Sequence, residues 1–146
     1  EVREGRIASF ATYMSGETYA LLRQHSILAR TLPAEEPPLD EAAFTRGVRH
    51  AQATGSLLHS AFSARTLALF DRMPAEALAS YLSGLVIGEE LRARGRADTA
   101  VVLVGSPALC TRYRLALQAT AREARSLGSE ATWRGLWAIA QTLEPT

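Results

Sequence analysis

The stretch that most constrains the fold is "VVLVGSPALC" at 101–110, where an apolar run ends directly on Gly-Ser-Pro. An unbroken apolar run is typical of a strand buried on both faces, and we expect such a strand at 99–104. Serine favours a helix N-cap and proline favours the first helical turn, which predicts a helix at 107–121. The stretch "EARSL" at 123–127 is short enough to be a second strand. Two strands joined by a helix favour a parallel βαβ unit with a right-handed crossover.

The rest of the chain is predicted to be mainly helical, so the fold class is α/β with a helical insertion. A short hairpin is expected within 1–15, where Gly5 supplies the turn. In the helices, apolar residues recur at helical spacing, and Asp40 and Pro74 mark two helix starts. The predicted helices cover 16–29, 41–53, 56–71, 75–94 and 129–143.

Two glycines, Gly84 and Gly88, lie four residues apart inside the helix predicted at 75–94. Glycine in a helix interior costs up to ~1 kcal/mol relative to alanine. We therefore expect that close packing or a ligand requires the absence of a side chain at these two positions.

The composition excludes several kinds of chemistry. All 16 basic residues are arginine, so this chain holds neither the lysine of a P-loop nor a Schiff-base lysine. Cys110 is the single cysteine, which excludes a disulfide within the chain and fits a reducing cytoplasm. The net charge of +1 gives no sign of a nucleic-acid partner, and none is expected. No membrane partner is expected either, because no apolar run reaches the ~18–20 residues of a membrane-spanning helix.

Two glycines at strand–helix boundaries are the candidate ligand contacts. Gly105 precedes the N-cap Ser106 and the first-turn Pro107, and Gly16 stands in "SGE" before a helix. Glycine lets a ligand approach the backbone closely, and a helix N-terminus offers free N–H groups. Each motif also fits an ordinary corner or helix start without a ligand, so the residues alone leave both interpretations open. The histidines show no metal-ligand spacing, and no catalytic residue or metal ligand is predicted.

Several stretches together resemble the C-terminal half of bacterial 2-dehydro-3-deoxygalactonokinase. They are "ATYMSGETYALLRQHSILA", "FSARTLALFDRMP", "ASYLSGLVIGEEL" and "LVGSPALCTRY", and "EATWRGLWAIA" is similar to the end of that family. The family belongs to the actin-like sugar kinases, whose two ribonuclease-H-like lobes close over ATP and sugar. The resemblance implies that 1–146 is the C-terminal nucleotide-binding lobe. It also implies that the cytoplasmic protein phosphorylates 2-dehydro-3-deoxy-D-galactonate to its 6-phosphate in galactonate catabolism, using ATP and Mg²⁺.

The same resemblance implies roles for the two glycine motifs. In such kinases a strand that ends in glycine and a small residue before a helix contacts the adenosine. Gly105 and Ser106 would then contact the nucleotide, with Pro107 beside them and Gly16 on the phosphate side. An N-terminal lobe with its phosphate loop, a second Gly-Thr phosphate loop and the general base are expected upstream of this chain. We therefore expect the chain to be a fragment or processed lobe that is inactive alone.

Two alternative functions remain open at this point. The first is another sugar kinase of the same superfamily, which a substrate panel on the full-length enzyme would separate. The second is a regulatory lobe that binds ATP without catalysis. The mass of the intact protein would help to distinguish it from a complete kinase.

Overall fold

The structure, a computed structural model, describes residues 1–95 and 100–142. Residues 99 and 143, at the ends of two predicted elements, lie outside the described residues. In chain order the elements are β1 (Val2–Arg3), β2 (Arg6–Ile7), α1 (Ser15–His25), a 3₁₀ turn (Ile27–Arg30), α2 (Glu41–Thr54), α3 (Leu57–Ser60), α4 (Ser63–Leu69), α5 (Ala75–Arg94), β3 (Val101–Val104), α6 (Pro107–Ala119), β4 (Ala124–Leu127) and α7 (Glu130–Thr142). The domain is a mixed α/β one, as the sequence predicts. Among the described helices, none combines the length and hydropathy needed to cross a membrane.

The predicted βαβ unit is confirmed. Strands β3 and β4 are parallel, with Val101 opposite Ala124 and Val104 opposite Leu127, and α6 connects them. The N-terminal hairpin is also confirmed, but β1 and β2 form a separate two-stranded antiparallel sheet. The described strands therefore make two small sheets rather than one continuous sheet.

Helix ends follow the capping signals in the sequence. The Asp40 carboxylate accepts a hydrogen bond from the Ala43 backbone N–H at 2.8 Å, which satisfies a free donor at the start of α2. Gly55 ends that helix with a left-handed φ of 69°, which glycine adopts without strain. At the start of α6, the Ser106 hydroxyl accepts from the Leu109 backbone N–H at 3.4 Å. The corner at the end of β3 is thus fixed by local interactions.

The hydrophobic core lies mainly between α2 and α5. Phe44 and Val48 of α2 are completely buried, as are Leu78, Leu82 and Leu85 of α5. These residues repeat at three- and four-residue spacing, so each helix presents one apolar stripe to the other. The helix pair is the frame to which α1 and α6 attach.

Close packing of α2 on α5 accounts for the glycines of α5. A Cβ on Gly84 would overlap the Phe44 carbonyl oxygen, and one on Gly88 would lie 2.9 Å from the Ala51 Cβ. Gly47 of α2, which the sequence analysis did not single out, faces α5 backbone at equally short range. The expectation of close packing at Gly84 and Gly88 is confirmed, because the two helix backbones touch where side chains are absent.

Replacing Gly88 by leucine is expected to destabilise the fold by about 1–3 kcal/mol, because the added side chain overpacks the α2–α5 contact. Leucine also raises helix propensity, so the matched control is Gly135→Leu in α7, where an added Cβ meets no atom within 4 Å. Thermal melting of both variants measures the difference. A melting temperature unchanged or raised in Gly88→Leu would show that the contact is not tight.

The helix predicted at 56–71 is wrong as a single element, because the structure divides it into α3 and α4. The Ser63 hydroxyl donates to the Ser60 carbonyl oxygen at 2.5 Å. Serine side chains that bond to nearby backbone compete with the regular helical ladder. The apolar spacing of this stretch continues across the break, so periodicity alone does not reveal it.

The expectation that the strand predicted at 99–104 is buried on both faces is also wrong. Val102 and Val104 of β3 are 51% and 50% exposed. The α7 helix that follows β4 exposes Trp133 and Trp137 by 71% and 67%. The apolar run of β3 predicts that both its faces are covered. Within residues 1–95 and 100–142, nothing covers Val102 and Val104.

Candidate functional site

A cavity of about 360 Å³ lies between α1, α5 and α6. We call it the α1–α5–α6 cavity. Its apolar wall is formed by Val86 and Ile87 of α5 and by Leu109 of α6. Small-molecule sites in proteins are typically cavities of ~300–1,000 Å³ with apolar walls and a few polar groups. The size and lining therefore suit one small organic group, such as a heterocycle with an attached sugar.

One polar side of the cavity is organised by Glu90 of α5. The Ser15 hydroxyl and the Tyr113 hydroxyl both donate to the same Glu90 carboxylate oxygen, each at 2.5 Å. These two hydrogen bonds join α1 and α6 to α5. Burial, together with the hydrogen bond to Glu90, raises the pKa of the Tyr113 hydroxyl. Tyr113 therefore stays a protonated donor to a higher pH than an ordinary tyrosine does.

The other polar side is organised by Glu36, which lies in the loop between the 3₁₀ turn and α2. The Tyr19 hydroxyl donates to the two Glu36 carboxylate oxygens at 2.9 and 3.1 Å. The Arg112 Nη2 lies 3.4 Å from one oxygen, and the Arg23 Nε lies 3.3 Å from the other. Burial and the nearby Glu36 charge raise the pKa of Tyr19. Three helix side chains thus hold one loop carboxylate at the cavity.

The charges around this cavity balance. Two carboxylates, Glu36 and Glu90, are accompanied by two guanidinium groups, Arg23 and Arg112. A balanced, partly apolar site favours an uncharged ligand group with hydrogen-bond donors over a free polyanion. Within the described ranges, no three His, Cys, Asp or Glu side chains cluster as metal ligands. The arrangement is suited to binding and orienting a ligand.

Of the residues singled out from the sequence, Gly16 lines the cavity directly. Gly105, Ser106 and Pro107 do not line it, but they lead into α6, which contributes Leu109 to the wall. A Cβ on Gly105 would lie 3.8 Å from the Leu109 Cδ2. The structure therefore places Gly16 in the cavity lining, whereas the Gly105 corner only contacts one lining residue, Leu109.

Neither candidate glycine is required by the fold of the described chain. A Cβ on Gly16 would meet no atom within 4 Å, and one on Gly105 would make only ordinary van der Waals contact. Neither residue has the left-handed φ that favours glycine. In contrast to Gly84, these two positions leave open space, which a ligand or another part of the protein can use.

The polar side chains of the cavity were missed by the sequence analysis. Tyr19 and Arg23 are separated by four residues on α1, a spacing that places them on one helix face. Arg112 and Tyr113 follow the Gly-Ser-Pro corner by one to two helical turns. Those spacings could have indicated polar groups near the corner. Nothing in the local sequence indicates that Glu36 meets them, because this contact depends on how the loop folds back.

A larger cavity of about 490 Å³ lies near the C-terminal ends of α2, α5 and α6. Arg49, Arg92 and Arg122 line it, and Arg92 is already paired with Glu89 at 2.6 Å. Arg92 also lies in the last turn of α5, where the negative end of the helix dipole favours a cation. None of the residues singled out from the sequence lies there, so we assign the functional site to the α1–α5–α6 cavity.

The described chain is a mixed α/β domain with a cavity of small-molecule size between α1, α5 and α6. The chain belongs to the 2-keto-3-deoxy-galactonokinase family, whose model matches residues 1–139. This membership confirms the family resemblance read from the sequence.

Individual relatives agree with the family match. The chain is 31% identical over 142 residues to the 2-dehydro-3-deoxygalactonokinase of Escherichia coli (strain K12), covering 94% of this chain. It is 33% identical over 149 residues to a protein of Rhizobium meliloti (strain 1021) named as a probable 2-dehydro-3-deoxygalactonokinase, covering 97% of this chain. Each match covers 48% of the relative. The chain therefore spans about half the length of the curated relatives it matches.

A solved structure shows the same fold. It is a crystal structure of a Sinorhizobium meliloti protein assigned as a 2-dehydro-3-deoxygalactonokinase, with a TM-score of 0.83 and 30% sequence identity. The similarity covers 94% of this chain and 46% of that one. The elements described above are thus those of one half of a larger protein in that relative.

Proposed function

We propose that the full-length protein is an ATP-dependent kinase that converts 2-dehydro-3-deoxy-D-galactonate to its 6-phosphate in galactonate catabolism. Residues 1–146 supply its C-terminal nucleotide-binding lobe. The observation that carries this proposal is the family match over residues 1–139 in a chain that has a small-molecule cavity beside the Gly105 corner. The relatives are named for this activity, and ATP is the co-substrate that a kinase requires. We place the reaction in the cytoplasm, where ATP is available.

In this proposal the lobe has the ribonuclease-H-like fold of the actin-like kinases, and the upstream half of the same protein covers its exposed apolar surface. Parallel sheets are normally buried on both faces, yet β3 exposes Val102 and Val104. Exposed apolar patches mark interaction surfaces, and Trp133 and Trp137 of α7 are exposed as well. The relatives are about twice as long as this chain, so the N-terminal lobe is the natural occupant.

We place the nucleoside of ATP in the α1–α5–α6 cavity, with Gly105 leaving room for it at the corner. Ser106 and Pro107 hold that corner rigid, since one caps α6 and the other fixes its first turn. Gly16 lies at the N-terminus of α1, whose free N–H groups favour anions, so it belongs to the phosphate side. A flat, uncharged base and a sugar fit the apolar wall and the balanced charge of the cavity.

Phosphoryl transfer depends mainly on positioning and on charge around the transferred group. The lobe described here binds and orients the nucleotide, and closure of the second lobe would exclude water while the sugar hydroxyl attacks in line. Mg²⁺ normally accompanies ATP in such reactions. Mg²⁺ bound with a nucleotide usually takes one or two carboxylates besides the phosphates. Among the described residues no three His, Cys, Asp or Glu side chains converge, and we assign no magnesium ligand to them.

The full-length protein is expected to release ADP when it is given ATP, magnesium and 2-dehydro-3-deoxy-D-galactonate. A panel that includes the 4-epimer, 2-dehydro-3-deoxy-D-gluconate, tests the stereochemistry of the substrate. Faster turnover of another sugar acid would reassign the substrate within the sugar kinases. ATP binding without turnover on any sugar acid would favour a regulatory lobe and would contradict the proposed reaction.

A further inference from the structure

The Glu36 carboxylate has acceptor capacity that the protein does not use. Its side chain is 44% exposed and lines the α1–α5–α6 cavity. An ionised carboxylate can accept about four hydrogen bonds. The Tyr19 hydroxyl shares one proton between the two oxygens, and the Arg112 and Arg23 contacts are long at 3.4 and 3.3 Å. Each oxygen can therefore still accept a hydrogen bond from a ligand.

A buried arginine holds this carboxylate in place. The Arg23 side chain is only 9% exposed, and its Nη2 donates to the Pro33 and Ala34 carbonyl oxygens at 3.0 and 3.3 Å. Its Nε lies 3.3 Å from Glu36. The proline-rich loop is thus clamped just before Glu36. A carboxylate fixed before binding loses little conformational entropy when a ligand arrives, which favours recognition.

The places on α1 and α6 at which side chains contact Glu36 bear on the orientation of a bound nucleotide. Tyr19 lies about one turn beyond Gly16 on α1, and Arg112 lies more than one turn beyond Pro107 on α6. The N-terminus of α1 therefore lies about one turn from Tyr19, and that of α6 more than one turn from Arg112. Anionic phosphates are favoured at a helix N-terminus rather than at the Glu36 carboxylate. The carboxylate itself accepts hydrogen bonds and repels phosphate, so an uncharged donor group faces it.

We infer that Glu36 binds the 2′- and 3′-hydroxyls of the ribose and makes the lobe selective for ribonucleotides. This inference rests on the proposed placement of ATP in the cavity. Two adjacent hydroxyls match the two oxygens of one carboxylate, whereas the two hydrogens of a base amino group diverge. Hydrogen bonds to a charged group are about twice as strong as neutral ones. Removal of one hydroxyl is therefore expected to weaken binding about tenfold or more.

Calorimetry on the full-length protein tests this inference with ATP, 2′-deoxyATP and 3′-deoxyATP. Wild type is expected to bind ATP about tenfold or more tightly than either deoxy analogue. In Glu36→Gln, which preserves the side-chain shape, ATP affinity should fall. The ratio of the affinity for ATP to that for each deoxy analogue should fall towards one. Glu36→Ala should abolish the preference. The matched control is Glu35→Ala, which removes the same charge one residue away on the surface and should keep the wild-type preference.

The outcomes separate this inference from the proposed function. If wild type binds ATP and 2′-deoxyATP equally, or if Glu36→Ala keeps the preference, the role of Glu36 is overturned while the nucleotide site stands. If wild type binds none of the three nucleotides, the proposed function is overturned and the inference with it. Melting of each variant without ligand confirms that the compared proteins are folded.

Discussion

Residues 1–146 alone are expected to form no ADP from ATP under conditions in which the full-length protein turns over. In-line phosphoryl transfer needs groups that position and neutralise the phosphates. The described part of this chain provides the cavity in which we propose to place the nucleoside, and no cluster of three metal-ligating side chains occurs within that part. The relatives are about twice as long as this chain, and we expect the phosphate loops and the general base in the other half.

The measurement is ADP release by purified 1–146 with ATP, magnesium and 2-dehydro-3-deoxy-D-galactonate. The full-length protein at the same concentration serves as the positive control. Turnover by the isolated chain at the ~1–10³ s⁻¹ usual for enzymes would show that this lobe carries the catalytic groups itself.

Gly105→Val in the full-length protein is expected to weaken ATP binding by about a hundredfold or more while leaving the melting temperature without ligand nearly unchanged. The added side chain takes the space that we assign to the nucleotide. It should not strain the fold, because a Cβ on Gly105 meets the Cys110 Sγ and the Leu109 Cδ2 only at 3.8 Å. Calorimetry with ATP and ligand-free melting separate the two effects.

A matched control for this variant is Gly128→Val. Gly128 follows β4 and precedes α7, so it occupies the equivalent strand–helix corner, and a Cβ there meets no atom within 4 Å. A Cβ on Gly105 would contact the cavity-lining residue Leu109, whereas one on Gly128 would contact no cavity residue, so ATP affinity should be unchanged in Gly128→Val. Wild-type affinity in a folded Gly105→Val protein would refute the nucleotide contact. A large loss of stability would instead indicate that Gly105 serves only the turn.

Local signals in the sequence predicted much of the fold. The helix predicted at 75–94 matches α5, because a long apolar stripe begins just after Pro74 and the helix ends at Gly95. The βαβ unit was predictable because Ser106 and Pro107 mark a helix start immediately after a strand. The glycines of α5 indicated close packing, which the structure confirms against α2.

The remaining features depend on contacts between distant parts of the chain. The exposure of Val102 could not be predicted, since an apolar strand looks the same whether its partner is present or supplied from elsewhere. The position of Glu36 depends on Arg23, which holds the Pro33 and Ala34 carbonyls from ten and eleven residues away. A loop of prolines and acidic residues carries no local signal for that fold-back. The glycine motifs could therefore be proposed from the sequence, whereas the polar groups around the cavity required the structure.

The structure of the full-length protein crystallised with ADP tests most directly whether the α1–α5–α6 cavity is the nucleotide site. We expect the adenosine against Ile87 and Leu109, the ribose hydroxyls within hydrogen-bond distance of Glu36, and the phosphates towards Gly16 and the Gly105 corner. ADP bound elsewhere, with this cavity empty and Glu36 bonded only to protein side chains, would contradict the assignment of this lobe as the nucleotide-binding half of the kinase.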